Sequence, residues 1–216
     1  MLSEEHADTR GSHPSRYVRV KRIADYIGAL LLTILLFPVL SLIAAAIYFT
    51  SPGPILIRQK RLTEGGRLFT MYKFRTMVAD AEKCTGAVWA EHKDTRITPI
   101  GAWLRRVHLD ELPQLFNVLH GEMSLIGPRP ERPEFAAMLC TKIPRFNRRT
   151  EVRAGVTGLA QITIGYSSSI RHYRHKVRLD VLYVEKCSPA LDFLIAYRTL
   201  QSILAGTENH SHTRSN

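Results

Sequence analysis

One uncharged stretch, residues 27–50, constrains the fold of this chain more than any other feature. As a straight helix it would be about 36 Å long, which exceeds the roughly 30 Å hydrocarbon core of a bilayer. Pro38 stands near its midpoint, where the ring removes a backbone donor and leaves the carbonyl of Ile34 without its helical partner. Two half-helices of about 17 Å can enter a membrane and return. The stretch therefore predicts a membrane helix that is sharply bent at Pro38.

Charges on both sides of this segment predict how it lies. Positive residues favour the cytoplasmic side of a membrane, so a re-entrant helix with both ends in the cytosol fits better than a spanning one. A secretory signal is a poor match, because its apolar core of about 7–15 residues lies close to the start, whereas a polar leader precedes this run. The flanking basic residues are Arg16, Arg19, Lys21 and Arg22 before the segment and Arg58, Lys60 and Arg61 after it.

The overall charge indicates the kind of partner. Lys and Arg total 30 against 19 Asp and Glu, giving a net charge of +11. This excess suits nucleic acid, anionic lipid or a phosphorylated substrate, and composition does not choose among them. The three cysteines, Cys84, Cys140 and Cys187, are odd in number and far apart, which argues against a disulfide framework or a zinc site and favours a reducing cytosolic location.

Local patterns predict the rest of the architecture. Residues 51–54 (SPGP) end the membrane helix, and two alternating segments around Glu64-Gly65-Gly66 predict a β-hairpin. Residues 77–98 are expected to be helix plus loop, the proline-rich 127–135 a rigid extended loop, and about 169–186 and 190–205 two helices.

The predicted fold class is α+β: a re-entrant membrane helix plus a small, mainly helical cytosolic domain with a short β-hairpin and amphipathic interfacial helices. The predicted divisions are a disordered lead-in at 1–15, the basic collar and membrane helix at 16–50, the cytosolic domain at 51–205 and a disordered tail at 206–216.

Paired carboxylates at Asp110 and Glu111 are the strongest chemical feature. Apolar residues at helical spacing follow them, and Pro113 is tolerated only near the first turn, so a helix is expected to begin near His108 or Leu109. Carboxylates in a first turn are ordinary helix caps. The arginines at 105 and 106 change the interpretation, because arginine binds phosphate bidentately while a carboxylate supplies an oxygen ligand for Mg²⁺.

At this point the sequence resembles a known family. LDELPQLFNVL at 109–119 looks like the signature of the bacterial sugar transferases, the monotopic polyprenyl-phosphate phosphoglycosyl transferases. A lone DELP would be weak, but the series runs in the family's order over about residues 20–204. The other matching segments are YKFRTM at 72–77, GEMSLIGPRP at 121–130, GVTG at 155–158, AQ at 160–161 and LDV at 179–181.

The resemblance implies a reaction and a location. The family moves a sugar-1-phosphate from a nucleotide diphosphate sugar, usually a UDP-sugar, to polyprenyl (undecaprenyl) phosphate and releases UMP. This is the first membrane step of bacterial polysaccharide or glycoconjugate synthesis, at the bacterial inner (cytoplasmic) membrane. By the match, Asp110 is the nucleophile that carries the phosphosugar and binds Mg²⁺ or Mn²⁺, and its ionised form is expected to be favoured by the helix N-terminus and nearby arginine. The family match also implies the re-entrant helix.

The resemblance assigns further residues around this carboxylate. Glu111 completes the acidic dyad, for metal placement or proton handling. Arg105 and Arg129 are expected to recognise phosphate, the latter from a stiff proline-flanked loop.

Other positions keep two interpretations. Lys73 and Arg75, on a predicted strand, bind substrate or form a solvated basic face. Gln161 contacts uridine or sugar, or makes a structural hydrogen bond. His108 is a helix cap or a catalytic base, and Asp180 is a candidate salt-bridge partner.

A second functional class is a basic, membrane-anchored binding or scaffold protein for anionic lipid or nucleic acid. It explains the charge and the apolar segment but not the ordered motifs. No aromatic stacking platform or recognition helix is evident, so nucleic acid is not expected as a partner. The expected partners are a UDP-sugar, polyprenyl phosphate and anionic membrane lipid, for which the basic run 171–178 is a candidate surface, and a homodimer is compatible with the sequence.

Overall fold

The computed structural model describes residues 16–78, 81, 94–164 and 170–205. Helix α1, Arg16–Thr50, is the only helix in these ranges that is long and apolar enough to cross a membrane. It is one helical element of 35 residues that continues through Pro38. The predictions for 1–15, 206–216 and most of 77–98 fall outside the described residues.

One face of α1 packs against the rest of the molecule along most of its length. The buried positions begin at Asp25 and Ala29 and recur at Leu40, Ile43 and Ile47. The remaining faces expose large apolar side chains, including Ile34, Leu35 and Phe37. The helix therefore offers one side to the domain and leaves the others as an apolar surface.

The predicted hairpin is confirmed. Strands β1, Leu56–Leu62, and β2, Leu68–Phe74, pair antiparallel, and their connection contains Gly65 and Gly66 at φ values of 69° and 71°. Glycine adopts positive φ without steric cost, which explains its place in this turn. Two buried side chains of β2, Phe69 and Met71, pack in one cluster with Ala29 of α1.

A short parallel strand pair was not predicted. Strand β3, Ser124–Ile126, pairs with β4, Gly155–Thr157. The two segments approach so closely that a Cβ on Gly155 would lie 2.1 Å from the nitrogen of Gly127. Because β3 leads directly into the proline-rich loop, this pairing fixes where that loop begins.

Two helix boundaries differ from prediction. The α-helix α3, Gln114–Leu119, begins after Pro113 and not near His108, and Leu109–Glu111 forms a separate 3-10 turn. The left-handed conformation of His108 (φ 56°) sets this turn apart from helix α2, Pro99–Arg106. The predicted extended loop is also shorter than expected, because Pro133 starts helix α4, Pro133–Lys142, where its fixed φ suits a first helical position.

The remaining helices complete the mainly helical, mixed α and β fold. Helix α5, Leu159–Thr163, follows β4 directly. Helices α6, Ile170–Lys186, and α7, Pro189–Ala205, confirm the two predicted near the C-terminus. The buried face of α6 packs on α4 and on the 3-10 helix Phe146–Glu151.

Candidate active site

The carboxylate of Glu111 is held by two cations from different parts of the chain. Lys73 of β2 donates to its Oε1 at 2.7 Å. Arg129 of the proline-rich loop donates to both of its oxygens, at 3.0 Å to Oε2. Burial would raise the pKa of Glu111, yet the charges of Arg129 and Lys73 hold it well below its usual range. Glu111 is therefore an ionised carboxylate with both oxygens occupied.

Asp110, the neighbouring residue, lacks such partners. Its side chain is only 8% exposed and makes no hydrogen bond or ion pair within the described part of the chain. Burial and, after it, the negative charge of Glu111 raise the pKa of Asp110 above its ordinary value of 3.8. The positive charges of Lys73, Arg129 and Arg105 lower it less. The nearby arginines favour ionisation of Asp110, as expected, but burial and Glu111 outweigh them. The expected contribution of a helix N-terminus is wrong, because a three-residue 3-10 turn has little dipole to offset burial.

Lys73 is not part of a solvated basic face. Its side chain is 13% exposed and paired to Glu111. Burial lowers the pKa of Lys73, and the charge of Glu111 opposes that shift. The structure thus brings Lys73 and Arg129, which are distant in the sequence, to the adjacent residues Asp110 and Glu111.

Arg105 approaches the same site from the last turn of α2. Its Nε donates to the hydroxyl of Thr76 at 2.8 Å, and its two terminal nitrogens have no partner among the described residues. Helix α2 can lie this close to Thr76 because Gly101 has no side chain: a Cβ there would lie 2.1 Å from the carbonyl oxygen of Thr76. Thr76 is a site residue that sequence reasoning missed, although it lies inside the matching YKFRTM segment.

Arg75 and Gln161 make other contacts. The terminal nitrogens of Arg75 donate to the carbonyl oxygens of Pro52, at 2.8 Å, and Ser51, so its guanidinium holds the chain where it leaves α1. The amide of Gln161 donates to the carbonyl of Val156 at 3.2 Å, which is a structural hydrogen bond. Its oxygen is buried without a partner in the described ranges. Neither residue joins the cations around Glu111.

Two further predictions concern structural roles. Asp180 is buried and pairs with Arg149 at 2.8 Å, as a salt-bridge partner should. His108 occupies the cap position of the 3-10 turn, but its side chain makes no capping hydrogen bond.

The acidic pair can be tested for fit to a metal ion. The described residues contain no group of three or more His, Cys, Asp or Glu side chains arranged as a cage. Mg²⁺ needs no such cage, since it usually keeps several waters and binds one or two carboxylates together with substrate phosphates. The unpaired carboxylate of Asp110 fits that pattern, whereas both oxygens of Glu111 are already occupied.

Comparison with known proteins identifies the family. The sequence model described as "Bacterial sugar transferase" matches residues 16–206. The chain belongs to this family. A relative of this bacterial sugar transferase is the UDP-N-acetylgalactosamine-undecaprenyl-phosphate N-acetylgalactosaminephosphotransferase of Aeromonas hydrophila, 40% identical over 190 residues. The match covers 88% of this chain but only 45% of that relative.

Two other relatives of the sugar transferase are closer to it in length. A putative undecaprenyl-phosphate N-acetylgalactosaminyl 1-phosphate transferase of Bacillus subtilis (strain 168) is 46% identical over 148 residues, which cover 68% of this chain and 82% of the relative. The UDP-glucose:undecaprenyl-phosphate glucose-1-phosphate transferase of Caulobacter vibrioides is 40% identical over 191 residues. These residues cover 88% of this chain and 71% of that relative.

Proposed function

We propose that this sugar transferase moves a sugar-1-phosphate from a UDP-sugar to undecaprenyl phosphate through a covalent intermediate on Asp110, with release of UMP. The names of the Aeromonas and Caulobacter relatives describe UDP-sugar donors and undecaprenyl phosphate as acceptor. The observation that carries the proposal is the state of Asp110: a nearly buried carboxylate with no protein partner in the described chain, next to Lys73, Arg105 and Arg129.

The first chemical step forms the bond between an Asp110 carboxylate oxygen and the sugar-bearing phosphorus of the donor. The bond from that phosphorus to the bridging oxygen breaks, and UMP departs with the oxygen and its electron pair. Arg105 suits the role of phosphate clamp, because the terminal nitrogens of its guanidinium are unpaired within the described residues. The positive charges lower the cost of bringing an anionic nucleophile to a diphosphate.

The second step regenerates the enzyme. A phosphate oxygen of undecaprenyl phosphate attacks the same phosphorus, the bond to Asp110 breaks, and the product is an undecaprenyl diphosphate sugar. We assign Glu111 to holding Lys73 and Arg129, because a carboxylate whose pKa lies well below its usual range does not exchange a proton near neutral pH. This proposal replaces a proton-handling role for Glu111.

The proposal includes Mg²⁺ or Mn²⁺, with Asp110 as the protein ligand. When bound, the ion would neutralise charge on the donor diphosphate. Turnover should therefore stop in excess EDTA and return when Mg²⁺ is restored. Full turnover in EDTA would remove the metal from the proposal and leave the covalent step standing.

The contacts at the two ends of α1 support a cytosolic location for both. Near its N-terminal end, Tyr17 donates to Asp192 and Lys21 pairs with Asp192 at 2.8 Å. Near its C-terminal end, Ile47 is buried in a cluster with residues of β2 and α2, among them Phe74. One domain thus holds both ends. If α1 crossed the bilayer, that domain would have to lie inside the hydrocarbon, where its polar backbone would lose water.

The apolar surfaces fit a domain that rests on the membrane. Helix α7 exposes apolar residues at helical spacing, which can lie in the interfacial plane beside the exposed faces of α1. Exposed basic residues of α6 supply charge for anionic headgroups. The α7 residues are Phe193, Tyr197, Leu200 and Leu204, and those of α6 are Arg171, Arg174 and Arg178.

Topology can be tested by labelling single cysteines at Ser15 or Ser51 in a chain whose three native cysteines are serine. Both should resist an impermeant thiol reagent in intact cells and react after permeabilisation. Replacing Pro38 by Leu should straighten the helix in some molecules, so that a cysteine at position 15 reacts in part with the impermeant reagent in intact cells. Labelling of the Ser15 position from outside without the Pro38 change would mean that α1 spans the membrane.

The reaction is tested by incubating the protein with undecaprenyl phosphate and a panel of UDP-sugars. Release of UMP is the expected result. Release of UDP would indicate ordinary glycosyl transfer, and no nucleotide release with any donor would support a binding or scaffold protein. Labelled donor without acceptor should leave acid-labile label on the wild type and none on Asp110→Asn.

A further inference from the structure

The loop that carries Arg129 is held on its other side by buried charges that the proposed reaction does not use. These residues, called the back cluster here, come from β1, from the loop itself, from the 3-10 helix at 146–151 and from α6. The back cluster consists of Arg61, Glu131, Arg149, Lys176 and Asp180.

Arg149 is the centre of this cluster. It is 4% exposed, and one of its terminal nitrogens donates to the main-chain oxygen of Arg129 at 2.6 Å. The same guanidinium pairs with Asp180 at 2.8 Å and approaches Glu131 at 3.5 Å. It also lies over the ring of Phe146, 5.2 Å from the ring centroid. A single buried side chain therefore connects two carboxylates to the backbone of a site residue.

Neighbouring contacts hold the next two residues of the loop. Arg61 donates to the carbonyl oxygen of Pro130 at 3.3 Å, and the amide of Leu62 donates to the carbonyl oxygen of Glu131 at 3.0 Å. Lys176 donates to the Glu131 carboxylate at 3.1 Å. Three successive carbonyls, at 129, 130 and 131, thus each receive a donor from outside the loop.

The composition of the loop explains why outside donors are needed. Pro128 and Pro130 flank Arg129 and lack N–H groups, so the segment cannot form its own hydrogen-bonded ladder. Buried ion pairs add little to stability compared with apolar residues of similar volume. An apolar residue in place of Arg149 could fill the space, but it could not bind the carbonyl of Arg129.

We propose that Arg149 is a positioning residue for the transfer reaction, acting through Arg129. By holding the carbonyl of Arg129 on one side of the loop, it sets the direction in which the Arg129 guanidinium leaves the backbone on the other. Asp180 and Glu131 hold Arg149 in turn. The proposal rests on the proposed function and adds a residue that touches neither substrate nor Glu111.

The test compares Arg149→Met with Arg148→Met in the full-length, detergent- or nanodisc-embedded protein. Arg148 is adjacent in sequence but partly exposed, and it pairs with Glu151 and Glu185. With UMP release as readout, Arg149→Met should lower kcat/KM by about 10- to 100-fold, because small displacements of a positioned group carry losses of that order. Arg148→Met should leave it within about twofold, as expected for an exposed ion pair.

A double-mutant cycle separates positioning from general damage. In an Arg129→Ala background, Arg149→Met should cause little further loss, since its effect passes through the missing side chain. Equal fractional losses in both backgrounds, or full activity of Arg149→Met alone, would overturn the proposal. Arg149→Lys keeps a charge and a donor, so it should recover part of the activity, and it takes the place of the Met variant in the cycle if that variant does not fold.

These outcomes are distinct from failure of the proposed function. If the wild type releases no UMP with any donor, the function itself fails. If the wild type is active and the cycle is additive, only the role of Arg149 is lost.

Discussion

Asp25 and Asp110 are two buried aspartates in two regions of this molecule, with 6% and 8% of their surface exposed. Asp25 accepts hydrogen bonds from the hydroxyl of Ser124 at 2.6 Å and the amide of Leu125 at 3.3 Å, and it pairs with Lys21. Asp110 has none of these contacts in the described chain. The same residue type at the same depth is thus fully bonded where α1 meets β3 and unbonded in the site.

The difference between the partners of Asp25 and Asp110 fits a structural role for the first and the proposed catalytic role for the second. A buried polar group left without partners costs about 1–3 kcal/mol, and a charged group costs more. In the α1 region that cost is offset by donors, whereas Asp110 has no such donor among the described residues. The carboxylate that we propose to be reactive is the one without protein donors in the described chain.

The largest expected effect is on catalysis by Asp110→Asn. An amide does not attack phosphorus, so UMP release should fall by at least about 10³-fold. Thermal unfolding at neutral pH should be unchanged or slightly shifted upward. Because the pKa of Asp110 is raised above 3.8 in the folded state, stability is lost as pH rises from the unfolded pKa through the folded one, and the asparagine variant avoids that loss. Substantial turnover by this variant would contradict the covalent mechanism.

The next effect concerns Arg105, which we propose to bind the donor phosphates. Arg105→Ala should lower kcat/KM by about 10²-fold, as removal of one group that stabilises transition-state charge typically does. Its neighbour Arg106 is exposed and serves as the control, so Arg106→Ala should stay close to wild type in the same assay. Equal losses in the two variants would show that general charge, and not the site, is responsible.

A smaller effect, on the free energy of unfolding, is expected when Asp25 is replaced. Asp25→Ala removes the carboxylate that accepts from the Ser124 hydroxyl and the Leu125 amide, while Lys21 keeps its pairing with Asp192, so the free energy of unfolding should fall by about 1–3 kcal/mol. At low temperature the folded fraction should keep its turnover, measured per folded molecule. A complete loss of chemistry with unchanged stability would reverse the distinction between Asp25 and Asp110.

The smallest effect is a shift in pH dependence. Asp110 must be ionised to attack, so activity rises as pH passes its raised pKa. Glu111→Gln removes a negative charge that raises that pKa and releases Lys73 and Arg129, so the acid limb of kcat should move to lower pH. The maximal rate should fall because the two cations lose their holder. As a control, each enzyme is exposed to acid and returned to neutral pH, and full recovery of activity excludes unfolding as the cause of the acid limb. If the acid limb of kcat does not move in Glu111→Gln, the charge of Glu111 does not affect the pKa of Asp110.

Sequence reasoning succeeded where local chemistry decides the structure. The glycines at 65 and 66 specify a turn whatever the rest of the chain does, and apolar periodicity marks α6 and α7. Sequence spacing also predicted that Arg105 lies near the acidic pair, and the charge of Arg105 does act on Asp110, while the chemical roles of these residues stay predictions.

It failed where the answer lies in contacts between distant segments. Strands of three residues, such as β3 and β4, are too short for an alternation of apolar and polar residues that would predict their parallel pairing. The burial of Lys73 depends on Glu111, 38 residues away, and the importance of Arg149 depends on Arg129 and Asp180. One available signal was overlooked: Asn117 is a polar residue within an apolar helix, and it proves to bind the main chain of Tyr72 and Thr70.

The bond between Tyr17 and Asp192 spans 175 positions of the chain, and this has a consequence for synthesis. At about 5–20 residues per second, a ribosome produces the acceptor roughly 9 to 35 seconds after the donor. During that interval Tyr17 lacks its acceptor, although Arg22 and Asp25 of the same helix can already meet Glu64 and Ser124. A nascent chain that lacks α7 therefore carries every residue named in the acidic site while Tyr17, near the start of α1, is still without Asp192.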